Sequence, residues 1–162
     1  MAQSPKNSNP EPFTLAVLMQ HAGKLLDNQL RVGFERIGLH PSQGRVLHLL
    51  ERTGGLEQRE IASMMMVSAP TVSGIIKRMD AEGLIERRSD TSDERVTRVS
   101  LNRKGRQKSK VVRTVVKEVE RTLVAGLSRS QLRTAHRLLR QLRNNLGGGP
   151  PGPEPSVEAI IP

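Results

Sequence analysis

The residues of this chain best suited to chemistry lie between Ser68 and Arg98, and they suit the recognition of a polyanion. Ser68, Pro70, Thr71, Ser73 and Gly74 are small or polar, and Lys77 and Arg78 follow a turn later. On a helix, that order puts short side chains where a backbone must near base edges and long cations where phosphates lie. A helix starting near Ser68 also offers free N–H groups to a phosphate. Beyond it come Arg87, Arg88, Arg95 and Arg98, around a polar turn carrying Asp90, Asp93 and Glu94. An arginine on such a turn can enter a narrow minor groove, where the potential is most negative. Asp93 stands two residues from Arg95 and could hold its side chain by an ion pair. The plainer alternative is a surface pair contributing ~0–1 kcal/mol. Taken singly, Lys77 and Arg78 also fit an ordinary solvated face.

Other chemistries lack their residues. There is no cysteine, which excludes disulfides, thiolate catalysis, Cys-ligated zinc and thiol redox sensing. The histidines do not show His-Glu-x-x-His spacing, and neither a phosphate-binding Gly-x-x-x-x-Gly-Lys nor a Gly-x-Ser-x-Gly elbow occurs. No enzyme, cofactor or metal is therefore expected. Phe13 and Phe34 are the two aromatic residues, too few for base-stacking RNA or single-strand modules. Across 162 residues, 26 Lys and Arg face 16 Asp and Glu, a formal charge of +10 that favours a polyanionic partner. The positive charge is spread over several segments, which suits nucleic acid better than an anionic membrane. No apolar run approaches the ~20 residues needed to cross a bilayer. The first residues lack the apolar core of a secretory signal, so a cytoplasmic protein is expected.

Positioning the candidate residues takes a mainly helical frame. Residues 1–12 and 147–162, rich in Pro, Gly, Asn or Ser, are expected to be disordered. Leu15, Leu18, Ala22 and Leu25, continued by Leu26, Leu30 and Ile37, predict a first helix. Pro41 opens a second, with Val46, Leu47, Leu49 and Leu50 on its buried side, stopped by Gly54-Gly55. Short helices over 57–65 and 69–81 follow, the latter with Ser68 as N-cap and Pro70 in its first turn. Ile61, Ala62 and Met65 on one, and Val72, Ile75, Ile76 and Met79 on the other, pack as a helix-turn-helix. The alternative is an ordinary helical hairpin. Residues 84–88 and 95–101 predict a β-hairpin. Asn102 caps a long helix to about residue 127, with Val112, Val115, Val116, Val119 and Leu123 on its apolar face. A last helix from Ser128 or Ser130 is expected to bury Leu132, Ala135, Leu138, Leu139, Leu142 and Leu146. The order is α-α-α-α-β-β-α-α, a winged helix-turn-helix with helical extensions.

The segment 83–105, GLIERRSDTSDERVTRVSLNRKG, resembles the wing signature of the MarR family. Gly83, Leu84, Ile85, Arg87, Asp90, Asp93, Arg95, Val99, Leu101 and Gly105 fall in its register. Upstream, Leu39-His40-Pro41-Ser42-Gln43, Val46-Leu47, Ile61-Ala62, Val67 and Thr71-Val72-Ser73 agree as well. The resemblance covers roughly residues 13–146. It implies a winged helix-turn-helix over 42–101 and a homodimer interlocked through helices within 13–37 and 102–146. It also gives Arg95 the wing-arginine role. Terminal helices with more apolar surface than so small a lobe needs agree with a two-fold dimer, although one larger intramolecular core is the alternative. Two departures stand out. Asn102 replaces the usual Thr as N-cap, an equivalent choice. His40 replaces Thr or Ser, either as a weak cap or as a group facing an effector pocket. By position, His21, His40, Arg45 and His48 are the candidates for holding a small-molecule effector.

The function expected is a double-stranded DNA-binding transcriptional regulator, a repressor more often than an activator, reading an inverted repeat as a homodimer. The competing class is a basic nucleoid-associated or RNA-binding protein without sequence preference.

Overall fold

The computed structural model describes residues 13–89 and 97–149. Six helices and three short strands follow in the order α1 (Leu15–Arg36), α2 (Pro41–Thr53), β1 (Leu56–Glu57), α3 (Gln58–Met65), α4 (Ala69–Ala81), β2 (Ile85–Ser89), β3 (Thr97–Leu101), α5 (Arg103–Leu123) and α6 (Arg129–Asn145). The sheet is antiparallel with strand order β1-β3-β2. Strand β1 has no counterpart in the sequence reading. Two residues carry no alternation, and Leu56 and Glu57 are extended because they pair with Val99 and Arg98.

Each helix starts on a residue able to accept from its free N–H groups. Ser68 Oγ accepts from Thr71 N, Asn102 Oδ1 from Gly105 N, and Ser128 Oγ from Gln131 N, at 3.4, 2.9 and 3.3 Å. His40 belongs to this set. Its Nδ1 accepts from Ser42 N (3.3 Å), while Gln43 Oε1 accepts from His40 N (3.3 Å), a reciprocal cap of the capping-box kind. Histidine therefore serves as a working cap in place of Ser or Thr.

The core lies where α1–α5 meet the sheet. Phe34, Val46, Leu47, Leu50, Ile61, Val72, Ile76, Met79, Val99 and Val112 are essentially removed from water. Two glycines permit the close approaches this needs. A Cβ on Gly105 would overlap the backbone carbonyl of Leu84, and one on Gly44 would stand 2.6 Å from the Phe34 ring. The first seats the start of α5 against the segment leaving α4.

The terminal helices depart from the expected burial. In α6, Leu132 is buried but Leu138, Leu139 and Leu146 are exposed. Along α1, Leu15, Leu18 and Leu25 are exposed, while Leu26 and Leu30 are half-buried. Leu123 is exposed, and α5 ends there rather than near residue 127. The core closes without these side chains, because the other helices already cover the sheet. The expected disorder of residues 1–12 and of most of the tail lies outside the described residues.

Candidate nucleic-acid interface

Helices α3 and α4 are joined by a turn whose geometry follows from three residues. Met66 adopts the left-handed conformation (φ 53°) and donates its N–H to Ser63 O, and Val67 N bonds to Ala62 O. Ser68 then caps α4, with its hydroxyl 2.8 Å from that of Thr71. Ala62 is buried, leaving room for the two helices to cross. Val72, Ile75, Ile76 and Met79 fix α4 to the core, which turns Ser68, Pro70, Thr71, Ser73, Gly74, Lys77 and Arg78 to solvent. The sequence-predicted set thus occupies one continuous exposed face.

Two features of that face bear on what it meets. Among the described residues, a Cβ placed on Gly74 would meet nothing within 4 Å, so they give no reason for glycine there. In a helix interior, glycine costs about 0.8–1 kcal/mol relative to alanine. Met66 leaves 91 % of its surface exposed beside Ser68, in a backbone conformation unusual for a residue with a side chain. Sequence reading passed over Met66. A third methionine following the apolar pair Met64-Met65 was the signal that it falls outside the helical pattern.

The β2–β3 hairpin projects beside α4. Opposite residues share a face, so Ile85, Leu101, Arg87 and Val99 line the inner side and Glu86, Ser100, Arg88 and Arg98 the outer. Arg87 pairs with Asp80 near the end of α4 (3.3 Å), and Arg88 with Glu86 (3.0 Å). From the outer side, Arg98 reaches along the sheet to the β1 edge: it donates to Gly55 O at 3.0 Å and lies 3.8 Å from the Glu60 carboxylate, tying the start of α3 to the hairpin. Asp90, Asp93, Glu94 and Arg95, with the expected Asp93–Arg95 pair, lie outside the described residues.

The effector candidates stand on α1 and α2 and at the start of α2. His21 is exposed on α1, His40 caps α2, and Arg45 pairs with Asp27 across to α1 at 2.9 Å. His48 is half-buried on α2, and its Nδ1 is enclosed without a hydrogen-bond partner among the described residues. Burial, reinforced by the Arg52 cation and opposed by Glu51, holds its pKa below the usual histidine value. Among the described residues, no group of three or more His, Cys, Asp or Glu could hold a metal, and no helix is long and apolar enough to cross a membrane.

A helix-turn-helix followed directly by an antiparallel hairpin defines a winged helix-turn-helix protein. The family model described as MarR family matches residues 39–97. The HTH-type transcriptional regulator YwoH of Bacillus subtilis, itself uncharacterized, is 31% identical over 107 residues, covering 66% of this chain and 77% of the relative. The HTH-type transcriptional repressor IacR of Pseudomonas putida is 27% identical over 136 residues, or 84% of this chain and 81% of that one. Among solved structures, MepR of S. aureus in complex with DNA superposes with a TM-score of 0.72 at 24% identity, covering 84% of this chain and 99% of that one. The chain belongs to the MarR family of transcriptional regulators.

Proposed function

We propose that this protein is a sequence-specific double-stranded DNA-binding regulator, acting as a homodimer on an inverted repeat and most simply as a repressor. The observation that carries the reading is Gly74. A glycine in the middle of an exposed helix face, with open space around it, makes sense where another backbone or base edge must come close. Ser68, Pro70, Thr71 and Ser73 keep the rest of that end short, while Lys77 and Arg78 supply charge toward phosphates. Met66 adds an apolar group at the same end, suited to a thymine methyl. Arg87, Arg88 and Arg95 form the second contact, through the hairpin and its turn.

The dimer follows from the faces left open on α1 and α6. Unit by unit, we assign the DNA-reading lobe to residues 42–101 and the dimerisation helices to 13–37 and 102–146. That MepR is seen in complex with DNA supports the DNA-binding part of the reading. So does a second complex, that of a MarR family regulator from Listeria monocytogenes with 26mer DNA, at a TM-score of 0.74 and 16% identity.

The test is selection of bound duplexes from a random double-stranded library at physiological salt. An enriched inverted repeat with half-sites about one helical turn apart supports a dimeric regulator. Binding without an enriched motif, fading steeply as salt rises, would establish the nucleoid-associated or RNA-binding class instead.

A further inference from the structure

We propose that the exposed face of α5 holds the phosphate backbone of duplex DNA flanking the operator, through a row formed by Arg103, Arg106, Lys110, Arg113 and Lys117. The proposal deepens the DNA-reading role argued above and rests on it for where the operator lies, while its test separates the two. These residues recur at steps of three and four, which places them in one row along a helix. All of them are exposed, whereas Gly105, Ser109, Val112 and Val115 form the buried side of α5. At 1.5 Å per residue the row is ~21 Å long. No carboxylate occurs between residues 103 and 117.

Such a row is unfavourable to the free protein. Like charges three or four positions apart repel on a helix surface. Arg103, Lys104 and Arg106 also crowd the first turn of α5, which holds no acidic residue and whose dipole favours anions. Little inside the protein offsets this. Arg113 pairs with Glu51 at 3.2 Å, and Arg106 donates to the carbonyl of Leu101. Among the described residues, Arg103, Lys110 and Lys117 have no ion-pair partner. Cations that repel one another and meet few carboxylates suit a polyanion laid along them.

Duplex DNA fits the row better than an acidic protein does. No aromatic residue occurs on α5, and Gln107 and Thr114 border the row, so the aromatic anchors that typically hold a protein interface are missing. Repeated cations instead match a duplex with one charge per ~1.7 Å of axis, neutralising phosphates without reading bases. The row is also continuous with the hairpin proposed to meet DNA. Strand β3 ends at Leu101 and Arg103 opens α5. Asn102, between them, donates to Gly83 O at 2.9 Å and to Ile85 O at 3.3 Å, which fixes one to the other. A duplex that continues past the hairpin thus meets a rigidly placed row of cations.

The experiment compares two duplexes carrying the operator recovered by library selection. One is the inverted repeat alone, and the other adds about 20 unrelated base pairs on each side, ample for a ~21 Å row at ~3.4 Å per pair. Kd is measured by fluorescence anisotropy over a range of salt, for the wild type and for the Arg103→Gln/Lys110→Gln/Lys117→Gln variant. The far-ultraviolet spectrum and Tm of the variant report its folding. In the wild type, the flanks should tighten binding roughly tenfold or more and steepen the salt slope, and hydroxyl-radical protection should extend into them. With three cations fewer on each of two protomers, the slope on the long duplex should fall by about 5, and the flanks should no longer help. The folded variant should hold the repeat alone within about twofold of the wild type. Flanks without effect on a tightly held operator overturn the row as a DNA contact and pass it to an acidic protein, leaving the DNA-reading role standing. A variant weakened equally on both duplexes overturns the placement on flanking DNA. If selection yields no repeat, the DNA-reading role falls and the proposal with it.

Discussion

At the residue scale, the exposed face of α4 is defined as much by what is missing as by what is present. Gly74→Ala adds a methyl into open space and removes the helical penalty of glycine. The free protein should gain about 1 kcal/mol, read as a rise in the denaturation midpoint. Operator affinity should fall at the same time. A variant both more stable and equally tight on DNA would remove the central argument for α4. His48 gives a separate expectation. Its pKa is depressed in the folded state, so the unfolded chain binds that proton more readily, and stability present above the ordinary value of ~6.5 is lost as pH falls below it. The Tm should therefore drop between about pH 7 and pH 5, with a shallower drop in His48→Gln. Equal slopes would show that His48 does not govern the acid limb. These features were partly legible. Glycine and the cations are visible as letters, but that Gly74 faces open space depends on which stripe of α4 is buried.

The element scale explains why a glycine at position 105 belongs to the wing pattern. The start of α5 lies against the carbonyl of Leu84, and Asn102 Nδ2 donates to Gly83 O at 2.9 Å and to Ile85 O at 3.3 Å. Helix α5, the hairpin and the end of α4 are thus fixed as one unit. In Gly105→Ala the new methyl meets backbone rather than a mobile side chain, so the helix must shift. A loss of about 3 kcal/mol or more is expected in urea denaturation. A loss within ~0.5 kcal/mol, the range of ordinary surface changes, would mean the close approach is not needed. The helices of the DNA-reading lobe were legible because caps and 3.6-residue periodicity are local: Ser68 and Pro70 set the start of α4, and the expected span 69–81 is the one found. Strand β1 was not, because its two residues are extended only through pairing with β3, some forty positions away.

On the scale of the whole molecule, the open apolar faces of α1 and α6 carry the dimer expectation. Leu139 is 55% exposed and Leu146 81%, on a helix whose remaining surface is mostly Arg and Gln. Among the described residues, nothing lies within 4 Å of where a Cβ on Gly23, in mid-α1, would stand, which leaves room for another helix. Leu139→Glu should convert the dimer to monomer in sedimentation equilibrium while leaving the far-ultraviolet spectrum of the lobe intact. Its affinity for a palindromic site should fall more than for a single half-site. A variant that sediments as the wild type does would remove α6 from the interface.

Taken by itself, the sequence determined the helical frame, the helix-turn-helix and hairpin, the family and the polyanionic character of the partner. Each of these depends on local periodicity, capping chemistry and charge, properties that neighbouring residues carry with them. Tertiary structure decided which cations point outward, leaving Lys77 and Arg78 exposed while Arg98 reaches along the sheet to Gly55. It decided that His40 is a cap and that Arg45 reaches across to Asp27 on α1. It also brought Leu39, Leu84 and Lys108 to one cleft. Such relations link residues far apart in the chain, and they exist only once burial of the shared core has fixed the helices against one another.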